Sequence, residues 1–255
     1  MAAPEIRARH VAQVDDRRGA SGHGGRMIRS PLLRAPLYLV QALTTIARTE
    51  RLPEADGPRA GVIGHGPELR LLILGDSSAA GVGVQDQGDA LAGQMLAHLA
   101  PHHRVGWELR ARSGVTTRAA RGLLAGAGDC DVAVLALGVN DVLRQTSEAR
   151  FARAYASVLD DLRARHGAQV ILASAVPPLG RFPAFPEPWR SHLGARADRL
   201  DTRLRALCAA QGVQHVPFDL ALEPAMLARD GFHPGAPVYA EWGARMAGLA
   251  LRALS

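Results

Sequence analysis

The amino-acid sequence predicts an α/β fold with a parallel sheet. Short apolar segments alternate along the chain with longer segments of helical periodicity, which is the pattern of repeated βαβ units. Some of the apolar segments carry no polar residue on either face, as is typical of strands that helices cover on both sides. With 255 residues, of which 47% are hydrophobic, the chain can form one main domain with an appendage.

Five strands and the helices between them are expected in order along the chain. The expected strands are Leu69 to Leu74, Val105 to Leu109, Val132 to Leu137, Val170 to Ala173 and Val213 to Val216. The expected helices are Ala90 to Ala100, Thr117 to Gly126, Glu148 to His166 and Ser191 to Ala210. A last helix from about Pro237 places an apolar stripe toward the core, consisting of Tyr239, Trp242, Met246 and Leu249.

Residues 1–60 differ from the rest of the chain. Residues 1–30 mix arginine, aspartate and glycine without apolar periodicity, so we expect them to be disordered. Residues 31–48 are expected to form a helix with an uncharged segment from Leu37 to Ala47 between two arginines. This segment is too short to span a bilayer, which takes about 20 helical residues.

Three interpretations of residues 31–48 stay open. The helix can dock on the main domain, lie on a membrane surface with its arginines at the edges, or direct export from a start near Met27. We expect a cytoplasmic or peripherally membrane-associated protein rather than an exported one, because no convincing cleavage site follows. Residues 51–61 are rich in proline and glycine and indicate a linker, so the compact domain, 61–255, is expected to begin near Gly61.

The composition excludes several chemistries. The chain contains 30 arginines and no lysine, so it cannot supply the lysine of a P-loop, a Schiff base or a Ser-Lys dyad. The net charge of +6 is spread along the chain, and diffuse charge does not indicate a nucleic-acid partner. Cys130 and Cys208 lack metal-ligand spacing, and we expect both to be buried. We expect neither a metal nor a cofactor.

Polar residues and glycines follow the predicted strands, at the edge where ligands bind in open parallel sheets. They are Gly75-Asp76-Ser77-Ser78, Arg112-Ser113-Gly114, Gly138-Val139-Asn140-Asp141, Pro177-Pro178 and, before the last helix, Asp230-Gly231-Phe232-His233-Pro234. A serine hydroxyl needs a histidine to accept its proton, and that histidine works best when a carboxylate holds its other nitrogen. Ser77, His233 and Asp230 can fill these roles. The Asn140 amide and the Gly114 backbone N–H can stabilise the oxyanion of acyl transfer.

Other interpretations of the same residues are open. Ser77 can be a helix N-cap, Asp230 can cap a turn, and His233 can be a hydrogen-bonded loop histidine. The glycine-bearing loop after the first strand can bind a nucleotide or phosphate, although its glycines do not match G-x-G-x-x-G. No member of the proposed triad is missing, which argues against a pseudoenzyme. The α/β-hydrolase fold is excluded because the chain contains no G-x-S-x-G motif.

The blocks GDSS at 75–78, Gly114, GVND at 138–141 and DGFHP at 230–234 resemble, in order, the four signature blocks of the SGNH (GDSL-type) serine hydrolases. The resemblance covers about residues 69–255 and implies a three-layer α/β/α sandwich with a parallel, flavodoxin-like sheet of about five strands.

The resemblance also assigns roles to the residues of these blocks. It implies that Ser77 is the nucleophile, His233 the base and Asp230 the carboxylate that orients the base. The N–H groups of Ser77 and Gly114 and the side-chain amide of Asn140 would then form the oxyanion hole.

The predicted substrate is a small-molecule or lipid ester. The segment AVPPLGRFPAFPEPWR, 175–190, resembles a bacterial subgroup of lipases and esterases that includes enzymes linked to long-chain N-acyl amino acids. Its aromatic residues Phe182, Phe185 and Trp189 either line an acyl groove or only cover the edge of the sheet. A groove would favour medium or long acyl esters. The alternative is an O-acetyl esterase of carbohydrate or other acetylated substrates.

Overall fold

The computed structural model describes residues 36–38, 40, 41, 44, 50–219 and 223–255. Residues 36–255 belong to one compact unit that contains a six-stranded sheet. Its strands are β1 Ala60–Ile63, β2 Glu68–Gly75, β3 Arg104–Ala111, β4 Val132–Ala136, β5 Val170–Ser174 and β6 Gln214–Val216. The order of the strands across the sheet is β1-β3-β2-β4-β5-β6.

Helices connect the parallel strands and cover both faces of the sheet. The α-helices are α1 Leu91–Leu99, α2 Thr117–Ala120, α3 Val139–Leu143, α4 Glu148–His166, α5 Trp189–Ala210 and α6 Ala236–Leu254. Short 3₁₀ segments are found at Arg121–Leu124, Leu179–Arg181 and Pro224–Met226. The boundaries of α4 are the predicted ones, and α2 ends earlier than predicted because its last turn is a 3₁₀ helix.

The predicted α/β/α sandwich with a flavodoxin-like parallel sheet is confirmed. β3, β2, β4, β5 and β6 are parallel neighbours in that order, which is the strand order of flavodoxin-like sheets. Alternate residues of β2 point to opposite faces. Leu71 and Ile73 pack in one core cluster with α1 and α6, whereas Leu72 and Leu74 pack in a second cluster with α4 and α5. Burial on both faces explains why the strand is apolar over most of its length.

The sheet has one strand more than the sequence predicted. β1 pairs antiparallel with β3, with Ala60 opposite Glu108 and Ile63 opposite Val105. All four residues of β1 are exposed, so no hydrophobic alternation distinguishes them from a linker. The strand forms because β3 would otherwise present a row of unpaired backbone groups at the edge of the sheet.

Residues 50–60 are part of the folded unit rather than a free linker. The Ala55 side chain is buried, and its backbone N–H donates to the carbonyl of Ala80 at 3.2 Å. The Glu54 carboxylate accepts the backbone N–H of Ser113 at 2.6 Å. The expected start of the compact unit at Gly61 is therefore too late. The sequence does not indicate the earlier start, because hydrogen bonds of this kind leave no apolar pattern.

The described part of residues 31–48 is helical and lies against α5. The helical residues are Pro36, Leu37, Tyr38, Val40, Gln41 and Thr44. The ring of Tyr38 stacks on His192, with ring centroids 4.8 Å apart. The Gln41 side chain donates to the carbonyl of Glu187 at 2.7 Å. The docking, membrane-surface and export interpretations of this helix stay predictions. Residues 1–30, which we expect to be disordered, lie outside the described residues.

Among the described residues, none of the helices has the length and apolar character that crossing a bilayer requires.

The apolar stripe of α6 and the two cysteines lie in the core, as predicted. Tyr239, Trp242 and Met246 are buried, and Leu249 packs beside them. Cys130 and Cys208 are buried free thiols. Burial raises the pKa of Cys130 to about 12 and that of Cys208 to about 11, so neither is a reactive thiolate at neutral pH.

Candidate active site

Ser77 lies on the loop directly after β2, at the carboxyl edge of the sheet. The backbone N–H of the preceding Asp76 donates to the carbonyl of Ala136 on β4 at 3.1 Å. The hydroxyl of Tyr239, on α6, donates to the carbonyl of Ser78 at 2.9 Å. A core strand and a core helix therefore hold the backbone on both sides of the Ser77 side chain.

The structure brings Ser77, His233 and Asp230 into one chain of hydrogen bonds. The Oγ of Ser77 is 2.9 Å from Nε2 of His233. The Nδ1 of His233 is 2.6 Å from Oδ2 of Asp230. The other oxygen of Asp230 accepts the backbone N–H groups of Phe232 and His233, at 2.9 and 3.0 Å. These bonds orient the carboxylate toward the imidazole.

The Asp230 carboxyl group is charged although its side chain is 0% exposed. Burial alone would raise the pKa of Asp230, but the hydrogen bonds from the His233 ring and from the backbone N–H groups outweigh it and lower the pKa below the usual value. An ionised carboxylate accepts a hydrogen bond from the N–H group at Nδ1 of His233, so the ring proton stays on Nδ1. The lone pair on Nε2 is then free to accept the proton of Ser77.

Asn140 is the single asparagine of the whole sequence, and its side chain faces the same site. It lies in the first turn of α3, which follows Gly138 at φ +125°. A Cβ atom at residue 138 would lie 2.8 Å from a methyl group of Val176, so only glycine fits this turn. Asn140 Nδ2 donates one hydrogen to Oδ2 of Asp76 at 3.2 Å, which leaves its second hydrogen for another acceptor.

Asp76 holds this part of the site together. Its Oδ1 accepts the backbone N–H of Ser78 at 3.1 Å and the Ser78 hydroxyl at 2.8 Å, and its Oδ2 accepts the Asn140 amide. Burial raises the pKa of Asp76 above its usual value. Gly114, at φ +78°, lines the same cavity as Ser77 and Asn140, which is where a backbone oxyanion donor is required.

Two cavities meet at the Ser77–His233 pair. The outer cavity, of about 510 Å³, is open and is lined by Ser77, Gly114, Asn140, Phe185, Trp189 and Phe232 among others. The inner cavity, of about 40 Å³, is lined by Ser77, Leu179, Phe182, Phe218 and Trp242 among others. Phe232 and His233 contribute to both cavities. An ester carbonyl beside Ser77 would therefore have a large apolar space on one side and a small one on the other.

The three aromatic residues of the predicted substrate loop lie in two places. Phe185 and Trp189 line the outer cavity, and Phe182 lines the inner one, while all three are also buried in the core. The two interpretations of this loop are thus compatible, because the same rings cover the sheet edge and face a cavity.

Phe232 is a residue that the sequence analysis did not single out. Its ring centroid lies 5.4 Å from that of Phe185, 5.8 Å from that of Phe182 and 4.8 Å from that of His233. It therefore joins the substrate loop to the histidine. Its place inside the DGFHP block, next to His233, is the one sequence signal that points to it.

Within the described part of the chain, no three histidine, cysteine or carboxylate side chains are placed to hold a metal ion.

Comparison with known proteins identifies a family for this chain. Residues 73–241 match the model of the GDSL-like lipase/acylhydrolase family. A GDSL-like esterase of Mycobacterium tuberculosis is 31% identical over 187 residues, which cover 68% of this chain and 59% of that protein. The chain thus matches less than two thirds of the length of this relative.

Solved structures of similar proteins share the fold. The crystal structure of TesA superposes on this chain with a TM-score of 0.57 and 23% sequence identity, and the match covers 73% of this chain and 98% of TesA. Est24, a carbohydrate acetylesterase from Sinorhizobium meliloti, superposes on this chain with a TM-score of 0.54 and 18% sequence identity. That match covers 72% of this chain and 99% of Est24. The family match spans both the Ser77 block and the His233 block, and it is the finding on which we conclude that this chain belongs to the GDSL-like lipase/acylhydrolase family.

Proposed function

We propose that this protein is a serine esterase that hydrolyses carboxylic esters through an acyl-enzyme on Ser77. The observation that carries the proposal is the continuous hydrogen-bond chain from Ser77 through His233 to the buried Asp230 side chain. The test is the hydrolysis of 4-nitrophenyl esters by the wild type, combined with fluorophosphonate labelling of Ser77.

The geometry supports a two-step reaction. Ser77 Oγ attacks the ester carbonyl while its proton moves to Nε2 of His233, and Asp230 stabilises the imidazolium that results. The tetrahedral oxyanion is bound by the backbone N–H groups of Ser77 and Gly114 and by the second amide hydrogen of Asn140. His233 then gives the proton to the leaving alcohol. In the second step a water molecule, activated by His233, attacks the acyl-enzyme, and the acid is released with Ser77 restored.

We expect Asn140→Ala to lower kcat by about 10²-fold to 10³-fold with little change in KM. The reason is that the amide meets the oxyanion only in the transition state, so its loss does not weaken substrate binding. Steady-state kinetics with a 4-nitrophenyl ester measures both constants.

A second amide provides the control for the Asn140 variant. Gln169 is exposed and lies between α4 and β5, outside both cavities, so Gln169→Ala should leave kcat unchanged. Loss of Asn140 also leaves one oxygen of Asp76 without its amide partner, so thermal unfolding of both variants is measured. An increase in KM alone, or a loss of stability with kcat preserved in the folded enzyme, would assign Asn140 a different role.

We further propose that medium or long acyl esters are preferred, with the acyl chain in the outer cavity. Its volume of about 510 Å³ is in the range of sites for small organic ligands, and Phe185, Trp189 and Phe232 give it apolar walls. Each methylene buried there stabilises the bound ester by at most about 0.8 kcal/mol, which raises kcat/KM by a factor of at most about four. The predicted link to long-chain N-acyl amino acids remains a prediction within this proposal.

The measurement is kcat/KM for 4-nitrophenyl esters from C2 to C16 in the wild type and in Phe185→Ala. Phe185 is buried, so the variant is expected to lose stability as well. The ratio of kcat/KM for a C8 ester to that for acetate is independent of the folded fraction, and this ratio should fall in Phe185→Ala. A steep preference for acetate that Phe185→Ala leaves unchanged would contradict an acyl site in the outer cavity.

That contrary result would favour an O-acetyl esterase, which is the alternative function. The inner cavity, of about 40 Å³, has room for a short group such as an acetyl methyl, with the alcohol part of the ester in the outer cavity. The same triad serves both substrates, so the triad does not decide between them.

A further inference from the structure

A groove of about 510 Å³, separate from the two cavities, lies beside the site between α2, α3 and α4. Five of its lining residues are arginines, namely Arg118, Arg121, Arg144, Arg150 and Arg153. They come from three chain segments: α2 with the following 3₁₀ turn, the residue after α3, and the first two turns of α4. We call this surface the arginine groove. Three segments thus place guanidinium groups on one surface.

Four of these five arginines have no carboxylate partner among the residues that the structure describes. Arg121 is paired with Asp161, with 2.5 Å between Nε and Oδ2. Arg118, Arg144, Arg150 and Arg153 form no such pair within the described residues, whereas arginines elsewhere, such as Arg70 and Arg104, are paired.

The acidic residue in the groove does not form an ion pair with these arginines. Asp141 is buried, and its Oδ2 accepts the backbone N–H and the hydroxyl of Thr117, both at 2.8 Å. Several like charges that face one groove repel each other, and a bound anion would remove that repulsion. The arginine groove is therefore suited to an anionic ligand.

The donor set indicates which anion fits. Planar guanidinium groups donate paired N–H bonds to phosphate oxygens, and they do so better than a point charge does. The side chains of Thr116 and Thr146 add hydroxyl groups to the lining, whereas the Ser157 hydroxyl donates to the carbonyl of Arg153 at 3.0 Å. The arginine groove thus offers several strong donors, unlike the apolar walls of the outer cavity.

One contact joins the arginine groove to the outer cavity. Arg144 Nη2 donates to the carbonyl of Gly114 at 3.2 Å, and Gly114 lines the outer cavity. We propose that the arginine groove binds a phosphate group, either as the free ion or as part of an ester substrate whose carbonyl lies at Ser77. The case of an ester substrate rests on the proposed esterase function, whereas phosphate binding itself does not.

Binding of inorganic phosphate tests the groove without any measurement of activity. Isothermal titration calorimetry and thermal unfolding are carried out in dilute buffer, with chloride at equal ionic strength as the reference, because salt screens exposed charges. In the double variant Arg150→Gln/Arg153→Gln, which removes two charges and keeps polar side chains of similar helix propensity, Kd for phosphate should rise about tenfold or more.

Arg252→Gln is the control for loss of a charge outside the groove. Arg252 lies near the end of α6, is exposed, and forms no ion pair within the described residues, so this variant removes one charge away from the groove. It should bind phosphate as the wild type does. Absence of phosphate binding in the wild type, or an equal loss of affinity in Arg252→Gln and the double variant, would overturn the proposal.

The source of the phosphate is decided with a matched pair of esters, 1-butyrylglycerol and 1-butyrylglycerol 3-phosphate. If the substrate carries the phosphate, the wild type should prefer the phosphorylated ester by about tenfold or more in kcat/KM. The double variant should lose this preference through KM and retain its rate on 1-butyrylglycerol. Equal rates on both esters, with phosphate binding intact, identify the free ion as the ligand. Failure to hydrolyse any ester would contradict the proposed function and leave the binding result standing.

Discussion

Replacing Ser77 with alanine should lower kcat for 4-nitrophenyl esters by about 10⁴-fold or more. The Oγ of Ser77 is the hydroxyl within 2.9 Å of His233 Nε2, and alanine removes the atom that forms the acyl-enzyme. The residual rate would come from the oxyanion donors and substrate binding, which the substitution leaves in place. A fluorophosphonate probe should label the wild type and fail to label the variant.

Ser78→Ala is the matched control, since it removes the neighbouring hydroxyl. The Ser78 hydroxyl donates to Asp76 at 2.8 Å and forms no hydrogen bond with His233 in the structure. This variant should keep fluorophosphonate labelling, with the probe found on the peptide at Ser77. Equal turnover by the wild type and Ser77→Ala, or a probe attached to Ser78, would show that the nucleophile is assigned to the wrong residue.

The sequence predicted the parallel part of the sheet because burial determines its composition. β4 and residues Val170 to Ala173 of β5 are apolar on both faces, and Leu71 to Leu74 of β2 divide between two core clusters. β1 was missed because its four residues are exposed and its stability depends on β3, a partner that a local pattern cannot identify. The same reason explains why residues 50–60 resemble a linker in sequence, since the contacts that hold them are backbone and side-chain hydrogen bonds to distant segments.

In the candidate site, too, the residues in short sequence blocks could be predicted, whereas the contacts between distant segments could not. Ser77 and Asn140 stand in short blocks at strand ends, and the Asp230–His233 pair stands in a short block before the last helix, so their residue types and positions indicated acyl-transfer chemistry. Their hydrogen bonds and the role of Asp76 in holding Asn140 depend on contacts between distant segments. The arginine groove could not be predicted, because its arginines come from three separate segments of the chain. The chain contains 30 arginines and no lysine, so an arginine in any one segment does not stand out.

Asp230→Asn should lower kcat by about 10⁴-fold while the fold is retained. The asparagine carbonyl can still accept the backbone N–H groups of Phe232 and His233, so the turn is preserved. Its NH₂ group, however, would donate to Nδ1 of His233, which would require the ring proton to reside on Nε2. An imidazole protonated at Nε2 cannot accept the proton of Ser77, and it has no carboxylate to stabilise its charged form.

A second histidine–aspartate pair in the same protein provides the control. His215 Nε2 is 2.9 Å from Oδ1 of Asp201, and the same oxygen accepts the backbone N–H of Val176 at 2.9 Å. Burial alone would raise the pKa of Asp201, but these hydrogen bonds outweigh it and lower the pKa. Asp201→Asn should therefore lower the temperature of thermal unfolding and leave kcat of the folded enzyme unchanged.

The comparison of the two variants separates catalysis from folding. Kinetics are measured well below the unfolding temperature of each variant, and the rate of fluorophosphonate labelling reports how reactive Ser77 remains. Asp230→Asn should slow labelling in parallel with kcat, because both reactions need His233 to accept the proton of Ser77. If Asp201→Asn lost as much activity as Asp230→Asn, the loss would reflect stability rather than chemistry. If Asp230→Asn kept its kcat, the carboxylate would not be the group that orients His233.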